Sequence, residues 1–155
     1  MFDVCIVGGG PAGLMAAETA ADNGLSVVII DAKPTYGRKF LMAGKSGLNI
    51  TKDEAKFEFL NHYFNAKKWL APIINNFDNE AVMKWAQDLD QEIFTGSSGR
   101  VFPKTMKASP LLRSWLIRLS HKGVTFYQNW KWVGWQGDLA AFETILGKKF
   151  IKSFI

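Results

Sequence analysis

Apolar residues fall in short blocks along this chain, and the first of them stop at a glycine or an aspartate. Phe2 to Val7 (FDVCIV) is an apolar, β-branched run with no polar alternation inside it, as in a strand buried on both faces of a parallel sheet. Ala12 to Asn23 is rich in alanine and predicts a helix that Gly24 ends through a left-handed cap. Leu25 to Ile30 (LSVVII) is a second buried strand that stops at Asp31. Together these three blocks predict one βαβ unit.

From Lys33 to Thr51 neither a helical nor a strand period can be counted, which predicts a long, basic, glycine-dotted loop. Lys52 to Leu89 reads as helices. Asp78 can cap the last of them, and Val82, Trp85, Ala86 and Leu89 then share a face. Ile93 to Phe102 predicts a hairpin turning through Gly96-Ser97-Ser98-Gly99. Ser109 as cap and Pro110 as first residue open a helix with an apolar stripe of Leu112, Trp115, Leu116 and Leu119, closed by Gly123. Val124 to Tyr127 is a third short strand. Trp130 to Trp135, Leu139 to Ile145 and Lys149 to Ile155 then alternate around two glycine turns, as in an antiparallel meander.

With 48% hydrophobic residues in 155, the chain can bury a core, so a disordered class is excluded. No apolar run is long enough to span a bilayer and no secretory leader is recognisable, so a cytoplasmic protein without a membrane partner is expected. A lone cysteine, Cys5, rules out an internal disulfide and reads as a core residue. With His62 and His121 besides, no metal-ligand spacing exists, and no metal is expected. His121 reads as a cation at a helix C-terminus. The net charge of +5 favours anionic partners, nucleic acids and diphosphates alike.

The chemistry concentrates in Gly8-Gly9-Gly10-Pro11-Ala12-Gly13, a Gly-x-Gly-x-x-Gly spacing that follows a strand and opens a helix. Gly8 permits the tight turn, Gly10 keeps a side chain out of the diphosphate's path, and Gly13 brings helix and sheet together. The helix N-terminus offers unpaired N–H groups to phosphate. Asp31, at the end of the second strand, can accept hydrogen bonds from the adenosine ribose. This fingerprint alone serves FAD and NAD equally. The loop that follows, with Arg38, Lys39 and Lys45 among Gly37, Gly44 and Gly47, suits a long extended cofactor.

Four stretches, GGGPAGLMAAE, GRKFLMAGKSGLNIT, FTGSSGRVFPK and KASPLLRSWLIRL, occur in an order that resembles the YhiN-type (BaiN-like) family of NAD(P)/FAD-dependent oxidoreductases. The resemblance runs from Phe2 to about Trp135. It implies an α/β, glutathione-reductase-like, Rossmann-like FAD-binding domain: a parallel sheet with an antiparallel meander over residues 1–51 and 104–155, and a helical insertion with a hairpin over 52–103. It implies FAD as cofactor, held by Gly8, Gly10, Pro11, Ala12, Gly13, Asp31, Ala32, Lys33, Gly37, Arg38, Lys39, Gly44, Ser46, Gly47 and Asn49, with Trp132 offering its backbone to adenine. Many relatives carry Glu where this chain has Asp31. Members of that family continue past the meander, so this chain corresponds to their N-terminal portion.

The activity so implied is hydride transfer through the flavin between a reduced nicotinamide and a small organic substrate. No residue stands out as its general acid or base; Tyr36, His62, Tyr63 and Arg100 are the candidates that remain. The alternatives are a non-catalytic remnant or a subunit completed by a second polypeptide, and, on the lysines beside Trp130, Trp132 and Trp135, a nucleic-acid-binding protein. The first strand, with neighbours available on one side only, is expected to leave a sheet edge open to self-association.

Overall fold

The computed structural model describes residues 1–154. The chain divides into two compact units, Met1–Phe40 with Trp115–Ile155, and Leu41–Ser114.

In the first unit, β1 (Val4–Val7), β2 (Val27–Asp31) and β6 (Thr125–Gln128) form a parallel sheet in the order β1-β2-β6. Val4 pairs with Val27 and Val28 with Thr125, so β2 is central. The sequence explains why: Val27 to Ile30 are all buried, as an apolar strand covered on both faces must be. β1 is an edge, and its Val7 remains 53% exposed. One rung touches that edge from the other side, a parallel bridge from Phe2 to Ser153 with the Phe2 amide donating to the Lys152 carbonyl at 3.1 Å.

Helix α1 (Pro11–Asp22) connects β1 to β2 and buries Leu14, Ala17 and Glu18. Asn23 and Gly24 close it, with Gly24 at φ +77°. Glu18 is buried yet satisfied: it accepts from the Trp115 indole N–H at 2.7 Å and from the Arg118 guanidinium at 3.1 Å. Those two residues belong to α6 (Ala108–His121), whose residues 108–114 lie in the second unit. The meander is β7 (Lys131–Gln136), β8 (Leu139–Thr144) and β9 (Gly147–Ile151), all antiparallel. Its Ala140, Phe142 and Ile151 share a core with Val28 and Ile30 of β2, with Phe2, Cys5, Tyr127 and Trp130 around them. Trp130 stacks flat on Tyr127, ring centroids 4.4 Å apart.

The second unit carries helices α3 (Lys56–Asn61), α4 (Lys67–Asn76) and α5 (Asn79–Gln87), and a sheet of order β3-β5-β4 from Thr51–Lys52, Arg100–Pro103 and Ile93–Thr95. Asp78 caps α5, its carboxylate accepting from the Ala81 amide at 3.0 Å. The predicted hairpin forms, with Gly99 at φ +77° and its amide on the Gly96 carbonyl. Asn79 is wholly buried, and its amide nitrogen donates to the carbonyls of Lys52 and Glu54 at 3.0 and 2.9 Å.

Three expectations about elements need correcting. The stretch from Lys33 to Thr51 is not all loop: Arg38–Ala43 is a helix, α2, and Thr51 opens β3. Six residues between Gly37 and Gly44, five of them good helix formers, make little more than one turn and a half, too few to show a period. Helix α6 starts at Ala108, so Ser109 is inside it, and Pro110 sits at the third position, still within the turn that needs no N–H partner. Its buried stripe also includes Leu111.

Candidate functional site

The turn from β1 into α1 is built by one constraint on Gly8 and three on Gly9. Its amide donates to Asp31 Oδ2 at 2.8 Å. Its carbonyl accepts from the Gly37 amide at 2.7 Å. Next to it, the Gly8 amide donates to the Ile30 carbonyl at 2.8 Å. The Gly9 α-carbon lies under the buried Tyr36 ring, so that an added Cβ would stand 2.0 Å from Tyr36 Cδ1. The middle glycine of the triplet thus has a packing reason that the Gly-x-Gly-x-x-Gly spacing does not supply. Tyr36 in turn makes an edge contact with Phe126, and burial, with the Asp31 charge adding to it, pushes its phenol far above the ordinary tyrosine range. That phenol stays protonated and is no general base near neutrality.

The two flanking glycines differ from Gly9 and from each other. A Cβ on Gly13 would lie 2.0 Å from the Gly8 carbonyl oxygen, so Gly13 is required for the turn to fold onto the helix. A Cβ on Gly10 would meet nothing within 4 Å. Gly10 caps α1 in an extended conformation with no side chain on the helix end, and no acidic residue occupies the first turn. Helix geometry leaves the first amides, those of Gly10, Ala12 and Gly13, without intrahelical partners at the positively polarised end of α1. Pro11, first in the helix, lacks an N–H and takes none of that capacity away.

Asp31 stands at the C-terminal end of β2 beside this turn. Its Oδ1 accepts from the Lys33 amide at 2.8 Å, in the manner of a turn-capping aspartate, while Oδ2 holds Gly9. Each carboxylate oxygen keeps a further lone pair. The carbonyls of Asp31 and Lys33 accept from the amides of Trp130 and Asn129, the latter at φ +59°, which fixes this segment against the turn into the meander. Ala32, Lys33, Arg38 and Lys39 are exposed. Trp132 is half-exposed on β7, edge to face with Trp135, and a bulge between Trp132 and Gly134 keeps both rings to one side.

The remaining candidates lie in the second unit. Gly44 is buried, and its missing Cβ would come 2.5 Å from Ala108 Cβ, so close packing accounts for it. Gly47, at φ +134°, adopts a backbone that other residues avoid. Ser46 and Asn49 are exposed. Of the acid–base candidates, His62 Nε2 lies 3.0 Å from Glu54 Oε1, and Glu54 also holds Lys52 at 2.5 Å; Tyr63 packs edgewise on Phe59. Among the described residues no group of histidine, cysteine and carboxylate side chains could hold a metal ion, and no helix is long and apolar enough to cross a membrane.

Comparison with known proteins decides the family. The model of the HI0933-like protein Rossmann domain matches residues 2–152. The chain belongs to the HI0933-like family. Its fold is the Rossmann-like FAD-binding fold, and its cofactor is FAD. The HI0933-like chain is 50% identical, over 36 residues, to a digeranylgeranylglycerophospholipid reductase of Methanosphaerula palustris, covering 23% of this chain and 9% of that protein. Among solved structures it resembles the 3-ketosteroid-Δ4-(5α)-dehydrogenase of Rhodococcus jostii RHA1, with a TM-score of 0.68 at 12% identity over 99% of this chain and 44% of the other. It also resembles Thermovibrio ammonificans THI4, with a TM-score of 0.59 at 18% identity over 98% and 54%. At such identities the structural likeness concerns the fold. The chain spans about half of these solved chains, and under a tenth of the curated reductase.

The donor set fits FAD. An open Cβ position, a helix end without a side-chain cap and a carboxylate with spare acceptor capacity are the requirements of a diphosphate followed by a ribose.

Proposed function

We propose that this chain holds FAD with Gly8, Gly10, Pro11, Ala12 and Gly13 around the diphosphate and Asp31 on the adenosine ribose. Ala32, Lys33, Gly37, Arg38, Lys39 and the backbone at Trp132 line its further course within the first unit, and the family resemblance adds Gly44, Ser46, Gly47 and Asn49 as candidates. The observation that supports this most is the vacancy at the Gly10 Cβ, which opens onto the uncapped end of α1. In this reading the amides of Gly10, Ala12 and Gly13 bind the negative charge, and Asp31 selects a ribose with free hydroxyls over one that carries a phosphate.

FAD, when bound, supplies two-electron chemistry, here between a reduced nicotinamide and a small organic substrate, and the protein orients it. Two of the proteins it is similar to are named for reducing a lipid and for dehydrogenating a ketosteroid, which supports an apolar organic substrate. Among the described residues β1 pairs with a strand on one side only, which supports a second reading, that another polypeptide or a second copy completes the sheet and the site.

The test is the visible spectrum of the purified chain before and after adding FAD, beside Gly10→Val. Flavin absorbance at one equivalent in the parent, lost in a folded Gly10→Val, is expected; equal flavin in both would refute the assignment. Oxidation of a reduced nicotinamide by the flavin-loaded chain then separates an active domain from one that needs a partner.

A further inference from the structure

The segment 56–77 of the second unit is amphipathic in an unusual way. Leu60 and Ile74 point inward and are buried. Phe57 is 69% exposed, Phe64 82%, Trp69 65% and Ile73 62%. Trp69 and Ile73 are one turn apart on α4, so they form an apolar stripe on solvent. Phe64, at the corner before α4, has φ +43°, a left-handed conformation that a bulky side chain takes only under strain. The backbone is strained there around an apolar ring that it leaves in water.

The charges within this segment are one-sided. Glu58 is the only carboxylate between residues 56 and 77, against Lys56, Lys67 and Lys68. Lys56 is paired with Asp78. Lys67 meets an amide oxygen, that of Asn61, and stands 4.5 Å over the Phe57 ring; among the described residues neither Lys67 nor Lys68 has a carboxylate partner.

We propose that the outer face of the α3–α4 hairpin binds an anionic lipid surface, with Trp69, Ile73, Phe64 and Phe57 entering the boundary between headgroups and acyl chains and Lys67 and Lys68 meeting the headgroups. Tryptophan and phenylalanine flanked by lysine are suited to that boundary. The rings stand out singly at more than half exposure, so they match a fluid layer that closes around them better than a protein surface that would need a preformed pocket for each. A second copy is disfavoured by charge, because a twofold contact on this face sets Lys67 and Lys68 against themselves. The absence of a membrane partner expected from the sequence rested on the lack of a spanning segment; lying on a surface asks only for a short amphipathic face.

Flotation of the full chain with vesicles of phosphatidylcholine, alone or mixed with phosphatidylglycerol, tests this. The chain is expected to float with the anionic vesicles at least about tenfold more than with the neutral ones, and to be released by salt. Trp69→Ser with Ile73→Ser, and separately Lys67→Glu with Lys68→Glu, should each lower flotation about tenfold while circular dichroism and FAD titration stay unchanged, since all four side chains lie on the surface of the second unit. Failure of the parent chain to float overturns the proposal. So does full flotation of the serine variant, which would leave only general attraction of a basic protein, and so does a dimer that the serine variant dissolves.

Discussion

Placing the same methyl group on Gly10 and on Gly13 separates folding from ligand binding. At Gly13 an added Cβ falls 2.0 Å from the Gly8 carbonyl oxygen and 3.2 Å from Ile6 Cγ2. Backbone must then shift by about an ångström, and overpacking of this kind costs about 1–3 kcal/mol or more. Alanine returns about 1 kcal/mol of helix propensity, which does not offset a clash with backbone. At Gly10, φ −80° and ψ 178° are open to any residue and nothing lies within 4 Å. Alanine there gains about 0.4–1 kcal/mol from a stiffer unfolded chain and loses a similar amount as a poorer helix cap. Its net effect on the flavin-free protein is therefore within about 0.5 kcal/mol. Urea unfolding without FAD should lower the midpoint for Gly13→Ala and leave Gly10→Ala near the parent, whereas an FAD titration should weaken for Gly10→Ala. Equal destabilisation by the two changes, or undiminished FAD affinity in Gly10→Ala, would refute the assignment of the open position to the ligand.

Glu18→Ala should destabilise the first unit by about 2–4 kcal/mol, because it removes the buried carboxylate that accepts from the Trp115 indole N–H at 2.7 Å and from the Arg118 guanidinium at 3.1 Å; Glu18→Gln, which keeps one acceptor, should cost less in the same urea assay. Asp78→Ala should cost about 1 kcal/mol as a lost helix cap. The Asp78 carboxyl is held below the ordinary carboxylate range by the Lys56 ammonium first and the Ala81 amide next, and Glu54 is lowered chiefly by Lys52. Depressed carboxylates add stability that is fully present above about pH 4 and is lost as pH falls through their folded values. The urea midpoint should therefore hold above about pH 4 and drop as pH falls below it, and a midpoint that rises on acidification would contradict the pairing.

The βαβ unit was legible because its strands are uninterrupted apolar runs and its glycine spacing has a fixed geometric meaning. The hairpin and the Asp78 cap were legible for the same reason, that local chemistry alone specifies them. What escaped depended on distant partners. Gly9 is explained by Tyr36, which lies twenty-seven positions on and reveals nothing of its placement by spacing. The hold of Asp31 on Gly9 joins two strand ends that only the parallel pairing brings side by side. Helix α2 is too short to print a period, and β3 is two residues whose pairing with Val101 and Arg100 no local pattern announces.

Gly9 is pinned by Asp31, by Gly37 and by the Tyr36 ring, while Gly10 beside it touches nothing at its open position. The loop is thus preorganised: its shape is set by the protein's own contacts before any ligand arrives. A diphosphate bound as proposed would meet amides already in position, and little of its binding free energy would be drawn off in ordering backbone.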